Sequence, residues 1–244
     1  MNAYAAIARL YDALTANVNY SAYAEYIVRK FKENQIEGTI LDAGCGTGVM
    51  LEHFKKHGFD MIGVDISSDM LASAARKQTG ALLLQQDLRC LDLFGTISGA
   101  VSTLDVMNHL PSENDLAIVF SRIALFMEAK GILIFDINLP YKHNEVLANN
   151  CFVFELSKEI VVWQNRLEKT RVLINLDVFT ECGDNKYTRT SESFYEYTYS
   201  LERIKALLEE DYDILEIVDG ESFYALSDTS ERAVVCARKK SHRE

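Results

Sequence analysis

Residues 40–54 read ILDAGCGTGVMLEHF, an apolar run followed by three closely spaced glycines and then by a helical pattern. Glycine is required where φ is positive or where a ligand lies against the main chain. Gly44, Gly46 and Gly48 have the spacing GxGxG. A dinucleotide fingerprint has the spacing GxGxxG and needs its third glycine at position 49, which is Val49. The stretch therefore predicts a strand–turn–helix unit that receives a ligand, and its spacing argues against a dinucleotide.

Short apolar runs alternate with helical patterns from residue 39 onward, which is typical of a parallel sheet covered by helices on both faces. The runs are Thr39–Ala43, Met61–Val64, Ala81–Leu84, Ala100–Leu104 and Ile132–Ile137. The helical patterns between them are Val49–Lys56, Asp69–Lys77 and Glu113–Glu128. Residues 4–34 read as one or two helices. After residue 200, a helix (Leu201–Glu210) and two strands (Ile214–Val218 and Ala233–Ala237) complete the pattern.

Residues 151–199 change to a period of two, as in RVLINLDVF and SESFYEYTY, with ECGDNKY as the turn between them. We therefore expect an α/β, Rossmann-like fold. It has a seven-stranded, mostly parallel sheet, helices on both faces and an antiparallel β insertion after the fifth strand. The chain is predicted to be one domain, residues 1–244. Its parts are an N-terminal helical cap (1–37), an α/β core (38–140 and 200–244) and the insertion (about 150–199).

Composition narrows the classes of function. The net charge of −11 disfavours nucleic acid as a partner, because phosphate backbones attract basic surfaces. No apolar run reaches the ~18 residues of a membrane helix, and MNAYAAIARLYDAL lacks the pattern of a signal peptide. The five cysteines are odd in number and form no CxxC pair, which argues against a disulfide framework or a zinc site, and no metal site is expected. A cytoplasmic protein that does not contact membranes is expected.

Two carboxylates follow successive strands of the predicted sheet. Asp65 ends the second strand in GVDIS, 21 positions after Gly44, and Asp87 follows the third strand in LLLQQDL. Ligands of open α/β sheets bind outside the carboxyl ends of the strands. A carboxylate at the first of these ends can accept hydrogen bonds from ribose hydroxyls, and one at the second can bind the exocyclic amine of adenine. The order of these features along the chain predicts an adenosine site.

At this point the chain resembles the class I S-adenosylmethionine-dependent methyltransferases over nearly its whole length. LDAGCGTG, GVDISSDML and QQDL look like the first three motifs of that family. YDALTANVNY, DINLPYK and ERAVVCARK resemble a subgroup of small bacterial members with an antiparallel insertion. The resemblance implies the cofactor S-adenosyl-L-methionine and a direct displacement at its methyl carbon.

The resemblance also implies a set of cofactor-binding residues. They are Ala43, Gly44, Cys45, Gly46, Gly48, Asp65, Ile66, Met70, Asp87, Leu88, Leu104 and Tyr20. The glycine turn would lie along the methionine part and Asp65 would bind the ribose. Ile66 and Met70 would flank the adenine, whose edge Asp87 and Leu88 would contact. Cys45 is not expected to act as a nucleophile, because methyl transfer from a sulfonium needs no covalent intermediate.

Two residues are candidates for catalysis. His109 lies in STLDVMNHLP after the fourth strand, and a histidine side chain suits a base or an orienting donor. It is equally compatible with an ordinary helix-start residue. Tyr11, like Tyr20, resembles the family's tyrosines that close over cofactor and substrate, although either tyrosine also fits a packing role.

The insertion is expected to cover the acceptor site or to form a homodimer contact. It holds nine of the chain's 25 aromatic residues in 49 positions, among them Trp163, and these could line a pocket for an apolar or cationic acceptor.

The function expected is methylation of a small-molecule acceptor at an amine, hydroxyl or carbon. Two alternatives stay open: a protein that binds the cofactor without transferring the methyl group, and an NAD-dependent oxidoreductase.

Overall fold

The structure, a computed structural model, describes residues 7–184 and 186–241. The helices are α1 (Tyr11–Leu14), α2 (Tyr20–Glu33), α3 (Val49–Lys56), α4 (Ser68–Arg76), α5 (Glu113–Phe126) and α6 (Leu201–Leu208). The strands are β1 (Thr39–Ala43), β2 (Asp60–Asp65), β3 (Leu82–Gln85), β4 (Ile97–Ser102), β5 (Met127–Asn138), β6 (Cys151–Glu155), β7 (Glu159–Glu168), β8 (Arg171–Glu181), β9 (Tyr187–Tyr197), β10 (Tyr212–Asp219) and β11 (Arg232–Lys239). None of the helices in the described ranges combines the length and the apolar composition that a membrane span requires.

The central sheet has seven strands in the order β10-β11-β5-β4-β1-β2-β3. Neighbours from β5 to β3 pair in parallel, whereas β11 runs antiparallel to both β10 and β5. The middle strands are buried almost throughout, because helices cover both faces. The sequence-based prediction of a seven-stranded, mostly parallel sheet is confirmed.

The end of β4 differs from the sequence-based expectation of a strand reaching Leu104. The strand ends at Ser102, and Leu104 and Asp105 follow with φ values of 61° and 58°. These are left-handed conformations, which cannot continue a strand. A short 3₁₀ helix, Val106–His109, then leads toward α5. The chain thus turns sharply at the carboxyl edge of the sheet.

The insertion forms a separate antiparallel sheet in the order β6-β7-β8-β9, as the period-two pattern predicts. Alternate residues of β8 are buried, which is the signature of a sheet with one covered face. That face packs against the N-terminal segment in one hydrophobic cluster. The cluster includes Ile7, Leu10, Leu14, Val161, Val172, Ile174, Leu176 and Val178. Residues 7–14, which we call the N-terminal segment, therefore pack together with the insertion in one hydrophobic cluster.

Candidate active site

A cavity of about 670 Å³ lies at the carboxyl ends of β1, β2 and β4, beneath the insertion. Its volume is within the ~300–1,000 Å³ typical of small-molecule sites. Residues from five regions line it: the glycine turn, the ends of β2 and β3, the turn after β4, α1–α2 and β9. Ten of the predicted cofactor residues are among them: Tyr20, Gly44, Cys45, Gly46, Asp65, Ile66, Met70, Asp87, Leu88 and Leu104.

The glycine turn depends on two of its glycines in different ways. Gly44 has φ 84°, and a Cβ placed there would lie 2.5 Å from a methyl group of Val106. Gly46 has φ 52°, and a Cβ there would meet nothing within 4 Å. The first glycine is required by packing against the turn after β4. The second leaves open space against the backbone, as a ligand lying along the main chain requires.

Asp65 is held at the end of β2 by backbone donors. Its Oδ2 accepts a hydrogen bond from Gly46 N (2.9 Å) and its Oδ1 accepts one from Ser67 N (2.8 Å). Burial raises the pKa of this carboxyl, and the two N–H donors partly offset the effect. Each carboxylate oxygen has a second lone pair. The side chain is therefore fixed in place and still able to accept hydrogen bonds from a ribose.

Asp42 is a cavity residue that the sequence analysis missed. It is 1% exposed, and neither carboxyl oxygen has a hydrogen-bond partner among the described residues. Burial, with a smaller contribution from Asp65, raises its pKa to about 7. A buried acid without a donor is costly, so its environment fits a cationic ligand group. The α-ammonium of S-adenosylmethionine is such a group, and this is the observation that best matches the site to the cofactor.

The part of the cavity where the adenine is expected is formed by Ile66, Met70, Asp87 and Leu88. Asp87 is paired with Arg89, whose Nε lies 3.0 and 3.1 Å from the two carboxylate oxygens. This hydrogen bonding lowers the pKa of Asp87. Arg89 also lines the cavity, and nothing in the sequence pattern had indicated it. The acid expected to bind adenine is thus ionised, and it shares its oxygens with an arginine.

Ala43 and Gly48, expected at the cofactor, do not line the cavity. Ala43 is fully buried and its carbonyl accepts a hydrogen bond from Ser102 Oγ at 2.7 Å. Gly48 precedes α3 with φ 79°, and a Cβ there would lie 3.0 Å from Ala74. Both residues pack against neighbouring elements of the fold, whereas residues on either side of each of them line the cavity.

The N-terminal segment covers the glycine turn. Asp12 of α1 accepts a hydrogen bond from Thr47 Oγ1 (2.5 Å) and forms an ion pair with Lys77 at the end of α4. Tyr11 and Tyr20 line the cavity beside it. Burial raises the pKa of both phenols, so they remain protonated at neutral pH. They can donate a hydrogen bond or pack against a ligand, but they do not supply a base.

Cys45 is buried in the wall of the cavity. Burial raises the pKa of its thiol. A thiol nucleophile needs a lowered pKa and an electropositive surrounding. The environment therefore agrees with the expectation that Cys45 does not form a covalent intermediate.

His109 lies in the 3₁₀ helix after β4 and lines the cavity opposite the glycine turn. Its Nε2 is 3.9 Å from Asp105 Oδ2, and its ring centroid is 5.5 Å from that of Phe194 in the insertion. Asp105, His109 and Glu196 bring ligand atoms within 4.8 Å of one another, a distance at which they could hold a cation. Arg232 already balances Asp105, and His143 already contacts Glu196.

The roof of the cavity is aromatic. Phe194, Tyr195 and Tyr197 of β9 line it, and the Arg171 guanidinium lies 4.0 Å from the centroid of the Tyr195 ring. Trp163, expected among the pocket aromatics, does not line the cavity. It packs in the cluster with the N-terminal segment, and its Nε1 donates to Asn165 Oδ1 at 2.6 Å. Among the described residues of the insertion, those that line the cavity belong to β9, an edge strand of its sheet.

Comparisons with known proteins agree with this geometry. A family model described as a methyltransferase domain matches residues 16–169. A protein of Geobacillus sp. (strain WCH70) that is named as a methyltransferase is 31% identical over 245 residues, 97% of this chain and 99% of the relative. The crystal structure of an S-adenosylmethionine-dependent methyltransferase from Clostridium acetobutylicum ATCC 824 has a TM-score of 0.87 at 29% identity, covering 98% of this chain and 99% of that chain.

One relative carries a more specific name. A dTDP-3-amino-3,4,6-trideoxy-alpha-D-glucopyranose N,N-dimethyltransferase of Streptomyces venezuelae is 31% identical over 119 residues. The match covers 48% of this chain and 50% of the relative. Each of these relatives has a methyltransferase name, and none is named as an oxidoreductase.

Proposed function

The chain belongs to the S-adenosylmethionine-dependent methyltransferase family, and we propose that it methylates an amine nitrogen of a small molecule bound between His109 and the insertion. The family, the fold and the cofactor expected from the sequence are thereby confirmed. The alternatives of an oxidoreductase and of a cofactor-binding protein without transfer activity have no support among the relatives. The amine and the roles of individual residues are the proposed part.

The cofactor would occupy the wall formed by the glycine turn and the ends of β2 and β3. Asp42 would bind its α-ammonium and Asp65 its ribose hydroxyls. The adenine would lie against Ile66 and Met70, with its edge at Asp87 and Leu88. When bound, S-adenosylmethionine supplies a methyl group activated on a sulfonium. The open space at Gly46 and the unpartnered carboxyl of Asp42 support this placement.

The acceptor would occupy the remainder of the cavity, against His109, Phe194 and Tyr197. The observation that carries the proposal is the pair of carboxylates beside His109: Asp105 from the turn after β4 and Glu196 from the insertion. Glu196 is almost fully buried. Burial opposes its ionisation, but the hydrogen bond from His143 and the nearby histidines lower its pKa. The rings of Phe194 and Tyr197 line the cavity and these carboxylates lie behind His109, an arrangement that suits an amine acceptor. The dimethyltransferase name of one relative agrees with this.

The chain's own residues would hold the acceptor and move one proton. The amine enters as an ammonium and must lose a proton before its lone pair can attack. His109 takes that proton, and the carboxylates of Asp105 and Glu196 stabilise the imidazolium that forms. Most of the rate acceleration comes from holding the nitrogen in line with the methyl group, since orientation alone contributes up to ~7–11 kcal/mol in favourable cases.

The test is transfer of isotopically labelled methyl groups to a panel of primary and secondary amines, including amino sugars and their nucleotide conjugates. Hydroxyl and carbon acceptors of the same size serve as the comparison. We expect labelled N-methyl products with S-adenosylhomocysteine formed in equal amount. Labelling of the hydroxyl or carbon acceptors without any N-methyl product would contradict the amine assignment.

A homodimer through the insertion and a cytoplasmic location stay predictions. For the dimer, the free face of β6–β9 would provide the contact. Light scattering that gives twice the 27.6 kDa mass of the chain would support it. A single-chain mass at assay concentration would contradict it.

A further inference from the structure

The turn after β4 is held in an unusual conformation by a buried carboxylate. Leu104 and Asp105 are consecutive non-glycine residues with left-handed φ values, and L-residues adopt this conformation reluctantly. Their backbone N–H groups both donate to Asp136 on β5, at 2.7 Å each. Asp136 is 1% exposed. These hydrogen bonds hold the turn that places Leu104 and His109 at the cavity, with Asp105 beside His109.

Arg232, at the start of β11, links this turn to the sheet. It is paired across the strands with Asn138, and its Nε donates to Asn138 Oδ1 at 3.2 Å. Its Nη1 donates to Asp136 Oδ2 at 3.3 Å and its Nη2 donates to Asp105 Oδ1 at 2.6 Å. The guanidinium therefore holds one oxygen of Asp105 in a planar, directional contact.

The other oxygen of Asp105 faces His109. The distance from Oδ2 to Nε2 is 3.9 Å, longer than a hydrogen bond. Catalytic hydrogen bonds are often long in ligand-free enzymes and shorten when the substrate binds. A carboxylate on one ring nitrogen selects the tautomer that carries its proton there, which leaves the other nitrogen able to accept a proton.

We propose that Asp105, fixed by Arg232, is the positioning residue that sets the His109 tautomer with its proton on Nε2. Nδ1 then takes the proton of the acceptor ammonium, and the Nε2–H of the resulting imidazolium stays bonded to Asp105. Water removes the transferred proton after the methyl group has moved. This inference rests on the proposed function, in which His109 is the base.

The same three residues could instead form a metal site, and the experiment must distinguish that role from proton transfer. Asp105, His109 and Glu196 could share a divalent cation instead of a proton. Against this use, Arg232 and His143 already occupy one oxygen of each carboxylate, which leaves few of their oxygens as ligands for a metal ion. The experiment therefore includes a measurement of methyl transfer after treatment with a chelator.

Asp105→Asn is the main variant. Asparagine keeps the size of the side chain and tolerates a left-handed conformation, and its backbone N–H still reaches Asp136. It removes the charge that selects the tautomer. Arg232→Lys is the second variant, since a lysine keeps the positive charge but cannot bridge three acceptors. Glu113→Gln is the matched control, because it breaks the exposed ion pair of Glu113 with Arg203 (2.6 Å) on α5 and α6.

The measurements are kcat and KM on the methylated amine and ¹⁵N spectra of the histidine side chains in the complex with S-adenosylhomocysteine. We expect Asp105→Asn to lower kcat roughly 10–100-fold with cofactor affinity unchanged, and Arg232→Lys to change kcat in the same direction. The His109 ring shifts should move from one dominant tautomer in wild type to a mixture in Asp105→Asn. The control should match wild type in both.

Three results would overturn the proposal. The first is an Asp105→Asn enzyme whose His109 tautomer is the same as in wild type. This result needs no turnover, so it contradicts the proposal even if no amine is methylated and the proposed function fails. The second is a combined Asp105→Asn and His109→Ala enzyme in which the two losses multiply, since a positioning residue has no further effect once its target is gone. The third is activity that a chelator abolishes and a divalent cation restores.

Discussion

The two walls of the cavity are built in different ways. We call the cavity residues within 42–47, 65–70 and 86–89 the cofactor wall, and those within 104–111 and 194–197 the acceptor wall, after the ligands proposed for them. The cofactor wall consists of turns that each follow one strand directly, and backbone N–H groups fix its main carboxylate. The acceptor wall depends on side chains that meet from β4, β5, β9 and β11. One wall is therefore local in sequence, whereas the other depends on long-range contacts.

The first prediction concerns the cofactor wall, where we expect the largest effect. Asp65→Ala removes two charge-assisted hydrogen bonds to the ribose, each contributing ~1.5–3 kcal/mol, so the Kd for S-adenosylmethionine should rise by roughly 10²–10⁴-fold. Calorimetry measures this directly. Asp60→Asn, at the exposed far end of the same strand, is the matched control and should bind as wild type. An unchanged Kd for Asp65→Ala would remove the residue from the site.

The second prediction is the corresponding change on the acceptor wall. His109→Ala should lower kcat by roughly 10²–10⁴-fold while the Kd for the cofactor stays within about 2-fold, because a general base acts only in the chemical step. Turnover is to be measured per folded molecule. A variant that loses stability but keeps its turnover would show that His109 only packs against Phe194.

The third prediction concerns Asp42 and has a pH dependence. In the ligand-free protein this carboxyl has a pKa of about 7, raised mainly by burial. A bound ammonium favours the ionised form, so binding should release a proton below about pH 7, and affinity should increase as the pH rises toward neutrality. Asp42→Asn should weaken binding by roughly 10–10²-fold, the effect of one charge-assisted hydrogen bond.

Calorimetry in buffers of different ionisation enthalpy counts the protons released on binding. Wild type should release a fraction of a proton near pH 6.5, and Asp42→Asn should release less. Equal proton release in both proteins would mean that another group contacts the cofactor's ammonium.

The fourth prediction has the smallest expected effect and concerns Asn108, which connects β5 to β9 of the insertion by hydrogen bonds. Asn108 Nδ2 donates to Asn138 O at 3.2 Å and to Tyr197 O at 2.9 Å, and Asn138 N donates to Asn108 Oδ1 at 2.8 Å. Asn108→Ala leaves these buried groups without partners and should lower the free energy of unfolding by ~1–3 kcal/mol.

Because Asn108 ties the insertion to β5, its loss should raise the KM for the acceptor more than the Kd for the cofactor. Thermal unfolding and steady-state kinetics measure the two effects. An equal loss of affinity for both ligands would contradict this prediction and would indicate that Asn108 supports both walls of the cavity.

The sequence by itself determined the central sheet, the insertion and most of the cofactor wall. Strand periodicity identifies β1–β3, and the residue that follows each strand must lie at the same edge of a parallel sheet. Position alone therefore predicted that Gly46 and Asp65 lie together at this edge, where both line the cavity. Asp42 also belongs to the first strand, next to the glycine turn, but the sequence did not identify it as a site residue. An acid inside an apolar run points to a ligand only once the structure shows that it is buried without a hydrogen-bond donor among the described residues.

Only the tertiary structure decided the acceptor wall. Asp105 and Arg232 are 127 positions apart, and they meet because the antiparallel register of β11 on β5 places Arg232 opposite Asn138. Glu196 reaches the same place through the pairing of the insertion strands. No periodicity encodes such contacts, since register depends on how the strands and their covering helices pack. His109 was a candidate by position, but the carboxylates and the guanidinium that give it a chemical environment come from the fold.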